Sequence, residues 1–364
     1  MNMKGLFEFF KFSFYLLTDT VFLIKNKGFS FLRHYGIFLK LFFSRKLSAE
    51  EWLNYNALLK SPSFQSSFLS YREATVFWKV INPKNYASLA RDKYLTHILL
   101  ENAGIPMPQL YAYYNTNSSN YGKVASDYDT LREVLLNNSV QDCVVKPASD
   151  SAHGNNVFVC KEILYGDDDC FLIKSNGERI SLRSLCDSCK KTPLLFEQRV
   201  VQSQKFNLLN PSSINTVRIM TSLYPGGRSN VFASWMRMGR KGSDVDNASC
   251  GGNVDCAIEV ESGKCYNASQ FNSFSDVIKI ERHPDSGEQV EGFLIDDWEG
   301  IKAVLCEYQS RIPYLKAIGW DVAITEKGPV IIEINNWWDP TGQLFIGKGW
   351  RDSVVECFNA WKTQ

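Results

Sequence analysis

Histidine is scarce in this chain: His34, His97, His153 and His283 are the only four in 364 residues. Without a second cysteine pair or a neighbouring histidine, the isolated CxxC of Cys186 and Cys189 does not make a zinc site. The ten cysteines follow no regular spacing, so no disulfide framework is implied, and reduced thiols in a cytoplasmic protein are the better reading. An excess of charge of one sign is missing too. The net charge is +1, whereas a general nucleic-acid binder carries a strong basic excess. No apolar run reaches the roughly 18–20 residues of a spanning helix, and no small-residue cleavage site follows residues 14–24, which argues against a signal peptide. Internal repeats and low-complexity tracts are absent, and no Ser/His/Asp or Cys/His set for nucleophilic catalysis emerges.

What is present is enough apolar material, 45% of the residues, for two or three lobes with their own cores. Residues 1–46 differ in character: eight Lys/Arg stand against Glu8 and Asp19, interleaved with Phe7, Phe9, Phe10, Phe12, Phe14, Phe22, Phe31, Phe38, Phe42 and Phe43. Two readings fit that pattern, basic aromatic helices lying on the inner membrane surface or helices packed on the rest of the chain or on a partner. Glu50-Glu51-Trp52-Leu53 opens a further helix. The acidic run at residues 167–169 reads as a solvated hairpin tip.

Residues 319–343, GWDVAITEKGPVIIEINNWWDPTGQ, bring three oxygen ligands within reach of one another. A turn at Glu326-Lys327-Gly328 would fold residues 321–325 back on 330–335 and set Asp321 opposite Glu333. Glu333 and Asn335 then share a face, because strand side chains alternate with period two. An ordinary core hairpin with an acidic end has the same pattern. Two carboxylates and an amide oxygen nevertheless suit Mg²⁺, which takes few protein ligands and fills its remaining sites with water and substrate phosphates. The implied ligand is a nucleoside triphosphate.

Upstream, residues 141–147 read as a short buried strand ending in Lys146 and Pro147. Residues 148–156 form a small, polar stretch before a second strand at 157–160. In such a loop, here with Ser151, His153 and Gly154, backbone N–H groups can close over phosphates while a strand-end lysine meets their charge. A surface hairpin explains the segment equally well. Residues 193–202 are apolar up to Glu197, as expected where backbone groups, here those of Gln198 and Val200, read a purine beside a ribose-binding acid.

In the order Lys93, Lys146, Glu197, Asp321, Glu333, Asn335, these pieces resemble the ATP-grasp superfamily. Arg91-Asp92-Lys93 followed by Gly104-Ile105-Pro106-Met107-Pro108 looks like that family's opening. Residues 209–219, 236–240 and 245–252 narrow the resemblance to the sugar-transfer-associated branch, over roughly residues 84 to 345. The single glycine of the presumed phosphate loop, Gly154, departs from the several that many relatives carry.

The resemblance implies an α+β fold in which two antiparallel lobes hold ATP, with lysines on the phosphates and Asp321, Glu333 and Asn335 on Mg²⁺. The boundaries it implies are a helical extension at 1–47, a lead-in with the N-terminal lobe at 48–140, a small lobe at 141–205 and a large lobe at 206–364. The implied reaction passes the γ-phosphate to a carboxylate and lets an amine or similar nucleophile attack the acyl phosphate, in cell-surface polysaccharide or sugar-precursor modification. Positioning and charge neutralisation carry most of such chemistry. Arg218, in strand-like apolar surroundings, would stabilise the transferring phosphoryl group, and Arg237 or Arg240 would clamp a substrate carboxylate. Asn215 joins them as a catalytic candidate. Because a buried guanidinium needs an anionic partner, these arginines could instead bridge to Asp244, Asp246 or Glu259. The rival functions are a kinase that phosphorylates a hydroxyl and a non-catalytic nucleotide-binding module that docks a membrane glycan-assembly system.

Overall fold

The computed structural model describes residues 3–28, 34–55, 57–149, 156–189, 192–244, 246, 252–273 and 276–363. The chain divides into two compact units, Met1–Ile81 with Asp339–Gln364, and Asn82–Trp338. Both junctions differ from the expected breaks. Residues 1–47 do not form a separate extension, because Leu23, Phe38, Leu41 and Phe42 share one core with Trp52, Tyr55, Phe64 and Phe68. The C-terminal segment returns to the same unit through Gln343, whose buried amide accepts from Leu69 N at 3.0 Å and donates to Leu69 O at 2.9 Å. Arg351 adds a contact to both oxygens of Glu73 at 3.0 and 3.1 Å.

This first unit is helical. The helix Ala49–Tyr55 starts where Ser48 and Glu51 cap each other, Ser48 N donating to Glu51 Oε2 at 2.9 Å and Glu51 N to Ser48 Oγ at 3.2 Å. None of the described helices is long and apolar enough to cross a membrane.

The second unit holds two seven-stranded sheets. The first consists of β1 (Leu110–Tyr114), β2 (Val124–Ala125), β3 (Cys143–Pro147), β4 (Phe158–Tyr165), β5 (Cys170–Lys174), β6 (Arg179–Ser181) and β7 (Leu194–Glu197), in the order β2-β1-β7-β3-β4-β5-β6. Strands β1 and β2 lie upstream of residue 141, so the small lobe draws on part of the expected lead-in. One face packs its apolar residues under the helices Tyr128–Asn137 and Leu182–Ser188. At the β4–β5 turn, Asp169 caps its own loop by accepting from Cys170 N at 2.8 Å.

The second sheet is antiparallel throughout and runs β12-β11-β10-β9-β8-β13-β14. Its strands are β8 (Thr216–Leu223), β9 (Ser229–Met238), β10 (Asn253–Ile258), β11 (Cys265–Ser273), β12 (Asp276–Lys279), β13 (Ala317–Thr325) and β14 (Gly328–Asn335). Alternation with period two decides its two faces. Val217, Ile219, Met236, Val254, Cys256, Trp320, Val322 and Ile334 point into a core shared with Trp298, Ile301 and Leu305 of the helix Trp298–Arg311. The positions between them, Arg218, Asp255 and Asp321, lie on the other face, where Trp235 stands opposite Arg218. Glu326 and Lys327 join β13 to β14, with Thr325 paired to Gly328. Gly328 has φ +106°, a backbone geometry that L side chains rarely adopt. At the far ends of this hairpin the buried Asn82 accepts from Lys316 N at 3.0 Å and Ala317 N at 3.2 Å and donates to Ala317 O at 2.7 Å.

Candidate functional site

Strand register assembles the polar face. Across the second sheet Asp255 is opposite Arg237, and Arg237 is opposite Thr216. Two residues along, Arg218 is opposite Asp321, and Asp321 is opposite Glu333. Directly opposed antiparallel residues, and residues two apart on one strand, share a face, so all of these side chains project on the side away from the core. The expected pairing of Asp321 with Glu333 is the one observed.

Asp321 is the centre of the cluster and only 5% exposed. Arg218 grips it with Nε on Oδ1 and with Nη2 on Oδ2 at 2.8 Å. Arg237 Nη2 lies 2.9 Å from Oδ1. Burial alone would raise the pKa of Asp321, yet the two guanidiniums reverse that and hold its carboxyl below the usual carboxylate range. Arg237 also donates to Thr216 Oγ1, from Nε at 3.2 Å and Nη2 at 2.9 Å, and Thr216 in turn bonds Asp246. Asp246 receives Thr216 N at 2.9 Å as well. The bridges to Asp244, Asp246 or Glu259 considered above do not form, since Arg218 and Arg237 turn to Asp321.

Three oxygen groups bear on the metal assignment. Among the described residues nothing hydrogen-bonds to or pairs with the half-buried Glu333 carboxylate, and Asn335 reaches Asp321 only through a long contact of 3.5 Å from Nδ2. Glu333 and the Asn335 amide oxygen are therefore available to a hard cation that needs only one or two protein ligands beside phosphates and water. Asp321 differs from the expectation that it is a free ligand, because both of its oxygens are taken by arginine. It organises Arg218 and Arg237 instead. Asp246 and Asp321 balance the two guanidiniums, which leaves Glu333 as the uncompensated acid of the face.

Two further candidates sit elsewhere. Arg240 gives its fork to Asp285, at 2.7 Å from Nε and 2.8 Å from Nη2, and its Nη1 to Gly252 O at 3.1 Å, so no planar edge remains for a substrate carboxylate. Asn215 is fully buried, with its amide on Phe206 O at 2.8 Å and Asn210 O at 3.0 Å. It braces the turn into β8 and does not reach the polar face.

On the first sheet, Lys146 and Glu197 form a buried ion pair at 2.6 Å. Glu197 is 3% exposed, so it serves as the partner of Lys146 and not as an outward ribose acid. Buried His97, on the helix Lys93–Asn102, sits in the field of this pair, and burial lowers its proton affinity. Asp92 caps that helix, accepting from Tyr94 N at 2.9 Å and Leu95 N at 3.0 Å, while Lys93 N donates to Ala148 O at 2.7 Å. The backbone of Lys93 therefore meets the chain just past Lys146. Gln198 N is spent on Gln109 O at 2.8 Å. Among the described residues no hydrogen bond engages the backbone of Val200. Ser151, His153 and Gly154 lie outside the described residues.

Asp255 was not foreseen from the sequence, although an acid between Val254 and Cys256 in an otherwise apolar strand is the signal that marks it. It is 1% exposed, and neither of its oxygens has a hydrogen-bond partner among the described residues. Burial pushes its carboxyl up to about 8, Arg237 offsets only part of that, and Asp246 adds to it. The folded state thus prefers Asp255 protonated. The stability this adds is fully present below the unfolded value of 3.8 and is lost as pH rises through about 8. Urea unfolding of Asp255→Asn should show a flatter decline over that window than the wild type, and an unchanged decline would show that Asp255 ionises freely in the native state.

A family model described as sugar-transfer associated ATP-grasp matches residues 72–356. A search among curated proteins finds no match. Among solved structures, the ATP-grasp ligase PsnB complexed with minimal precursor, Mg and ADP is 13% identical with a TM-score of 0.38, covering 77% of this chain and 62% of its own. An ADP complex of the N5-carboxyaminoimidazole ribonucleotide synthetase purK is 11% identical with a TM-score of 0.41, covering 75% of this chain and 52% of its own. D-alanine–D-alanine ligase from Bacillus anthracis complexed with ATP is 11% identical with a TM-score of 0.38, covering 76% and 67%. The chain thus spans about 62% of the PsnB structure it matches.

Proposed function

Because the chain belongs to the sugar-transfer associated ATP-grasp family, we propose that it is an ATP- and Mg²⁺-dependent ligase. It would activate a carboxylate as an acyl phosphate and join it to an amine or similar nucleophile, in the modification of a cell-surface polysaccharide or its sugar precursor. The observation that carries this reading is the single polar face on which Arg218, Arg237 and Asp321 are bonded together beside the uncompensated Glu333 and Asn335.

Each group has a role in such a reaction. Glu333 and Asn335 would hold Mg²⁺, which when bound neutralises charge on the β- and γ-phosphate oxygens. Asp321 orients Arg218 and Arg237, so that the two guanidiniums are already aligned for the charge that develops on the transferring phosphoryl group. Lys146, held by Glu197, supplies a fixed positive charge to the phosphates, and Val200 offers backbone groups to the adenine. The second unit thereby separates its work: one sheet carries the nucleotide contacts and the other carries the transfer chemistry. The basic aromatic helix of the first unit supports a peripheral position on the inner membrane surface, near glycan assembly.

Incubating the purified protein with ATP, Mg²⁺ and pooled sugar acids and amino acids should release ADP and phosphate together. Hydroxylamine should divert the acid to a hydroxamate. ADP release that yields a stable phosphorylated product, with no hydroxamate, would assign the chain to kinase chemistry.

A further inference from the structure

Along the helix Met3–Lys27, Phe10, Phe14, Leu17 and Val21 recur at intervals of four, three and four, which places them on one face. They are 62%, 62%, 64% and 43% exposed. Phe43, on the helix Tyr35–Arg45, is 61% exposed. Four of the six large apolar side chains above 60% exposure among the described residues lie on these two helices. The opposite side of the pair is satisfied, with Leu23, Phe38, Leu41 and Phe42 sealed into the core of the first unit. The exposed row therefore lies on the side that this core leaves uncovered.

Charge selects the occupant. Between residues 10 and 46 the one acid is Asp19, which is 8% exposed and is neutralised by Arg72 at 2.7 and 3.1 Å. Lys11, Lys25 and Lys40 are exposed. An apolar row flanked by exposed cations matches a surface with an apolar interior and an anionic rim. We propose that the face formed by Phe10, Phe14, Leu17 and Val21 beds into an anionic phospholipid bilayer, with the helix Met3–Lys27 lying in the plane of the headgroups. Phenylalanine and leucine reach the acyl boundary while the lysines stay level with the phosphates. This narrows the membrane reading given above to one helix face, and rests on it.

The full chain should sediment with phosphatidylcholine vesicles containing about one-third phosphatidylserine, less with phosphatidylcholine alone, and less in high salt. The triple variant Phe10→Ser, Phe14→Ser, Leu17→Ser should lose at least about tenfold in partitioning with little change in melting, since more than half of each side chain is already in water. Lys11→Glu with Lys25→Glu should weaken binding to the anionic vesicles while leaving the apolar row intact. If the wild type ignores anionic vesicles, the membrane reading as a whole falls. If the wild type binds and the triple variant binds equally well, that reading stands and this face is not the one used. If the wild type is a dimer in solution that the triple variant dissolves, the face is covered by a second copy and the proposal is overturned.

Discussion

Glu333→Gln should abolish ATP turnover and leave the fold intact. The carboxylate has no partner among the described residues and is half-buried beside Asn335, so replacing one oxygen by an amide removes no hydrogen bond and opens no cavity. What it removes is the negative charge left over on the polar face after Asp321 and Asp246 have balanced Arg218 and Arg237. A hard cation prefers anionic oxygen and binds an amide more weakly. Asn335→Ala should act the same way to a smaller degree, because a neutral ligand is lost. Turnover measured by ADP release, with thermal melting as the control, checks both. Near-normal turnover in the two variants would remove the metal role from β14.

Asp321→Ala should have the largest effect on stability. Its carboxylate takes Arg218 at 2.8 Å and Arg237 at 2.9 Å, and truncating it leaves two largely buried guanidiniums facing each other with Asp246 as their remaining nearby counter-charge. Breaking a buried ion pair from one side costs about 3–5 kcal/mol, a large share of the stability of an ordinary domain. Since the folded state holds Asp321 below its usual range, the stability it contributes is present above the unfolded value of 3.8 and is lost as pH falls through the lower folded value. The Asp321→Ala penalty measured by urea unfolding should therefore be full near neutrality and shrink in acid. Arg218→Ala, tested in parallel, should lose turnover by orders of magnitude with little change in ATP affinity, as the role proposed for it on the moving phosphoryl group requires. A penalty under about 1 kcal/mol for Asp321→Ala would mean that the cluster is solvated and weakly coupled.

A one-residue register shift between Asp321 and Val322, which neither alternation nor turn length predicts, is what sets Asp321 opposite Glu333. The rest of the hairpin was legible because it is local, the short turn pairing Thr325 with Gly328 and Val322 with Ile331. The strand ending in Lys146 was legible for the same reason. The partners were not. Lys146 meets Glu197 diagonally between neighbouring strands that are distant in sequence, and Arg240 finds Asp285 beyond three further strands. Local pattern carries no record of such pairs, and charge alone offered Asp244, Asp246 and Glu259 as equally good partners for the arginines. Asp255 escaped notice because a lone acid in an apolar strand reads as a solvent-facing alternation until the register shows Arg237 opposite it. The N-terminal aromatics were visible as a composition. Which of them are buried is settled by the contacts of Leu23, Phe38 and Phe42 with Trp52 and Phe68, and these depend on helices further along the chain.

The central claim is that the polar face of the second sheet binds a divalent cation together with nucleotide through Glu333 and Asn335. Titrating Mn²⁺ into the protein with a non-hydrolysable ATP analogue, and following free Mn²⁺ by electron paramagnetic resonance, reads that binding without any need for the substrate. The wild type should deplete the free signal only when the nucleotide analogue is present, and Glu333→Gln should leave it as high as in a nucleotide-only control. Equal depletion by the wild type and Glu333→Gln would contradict the account.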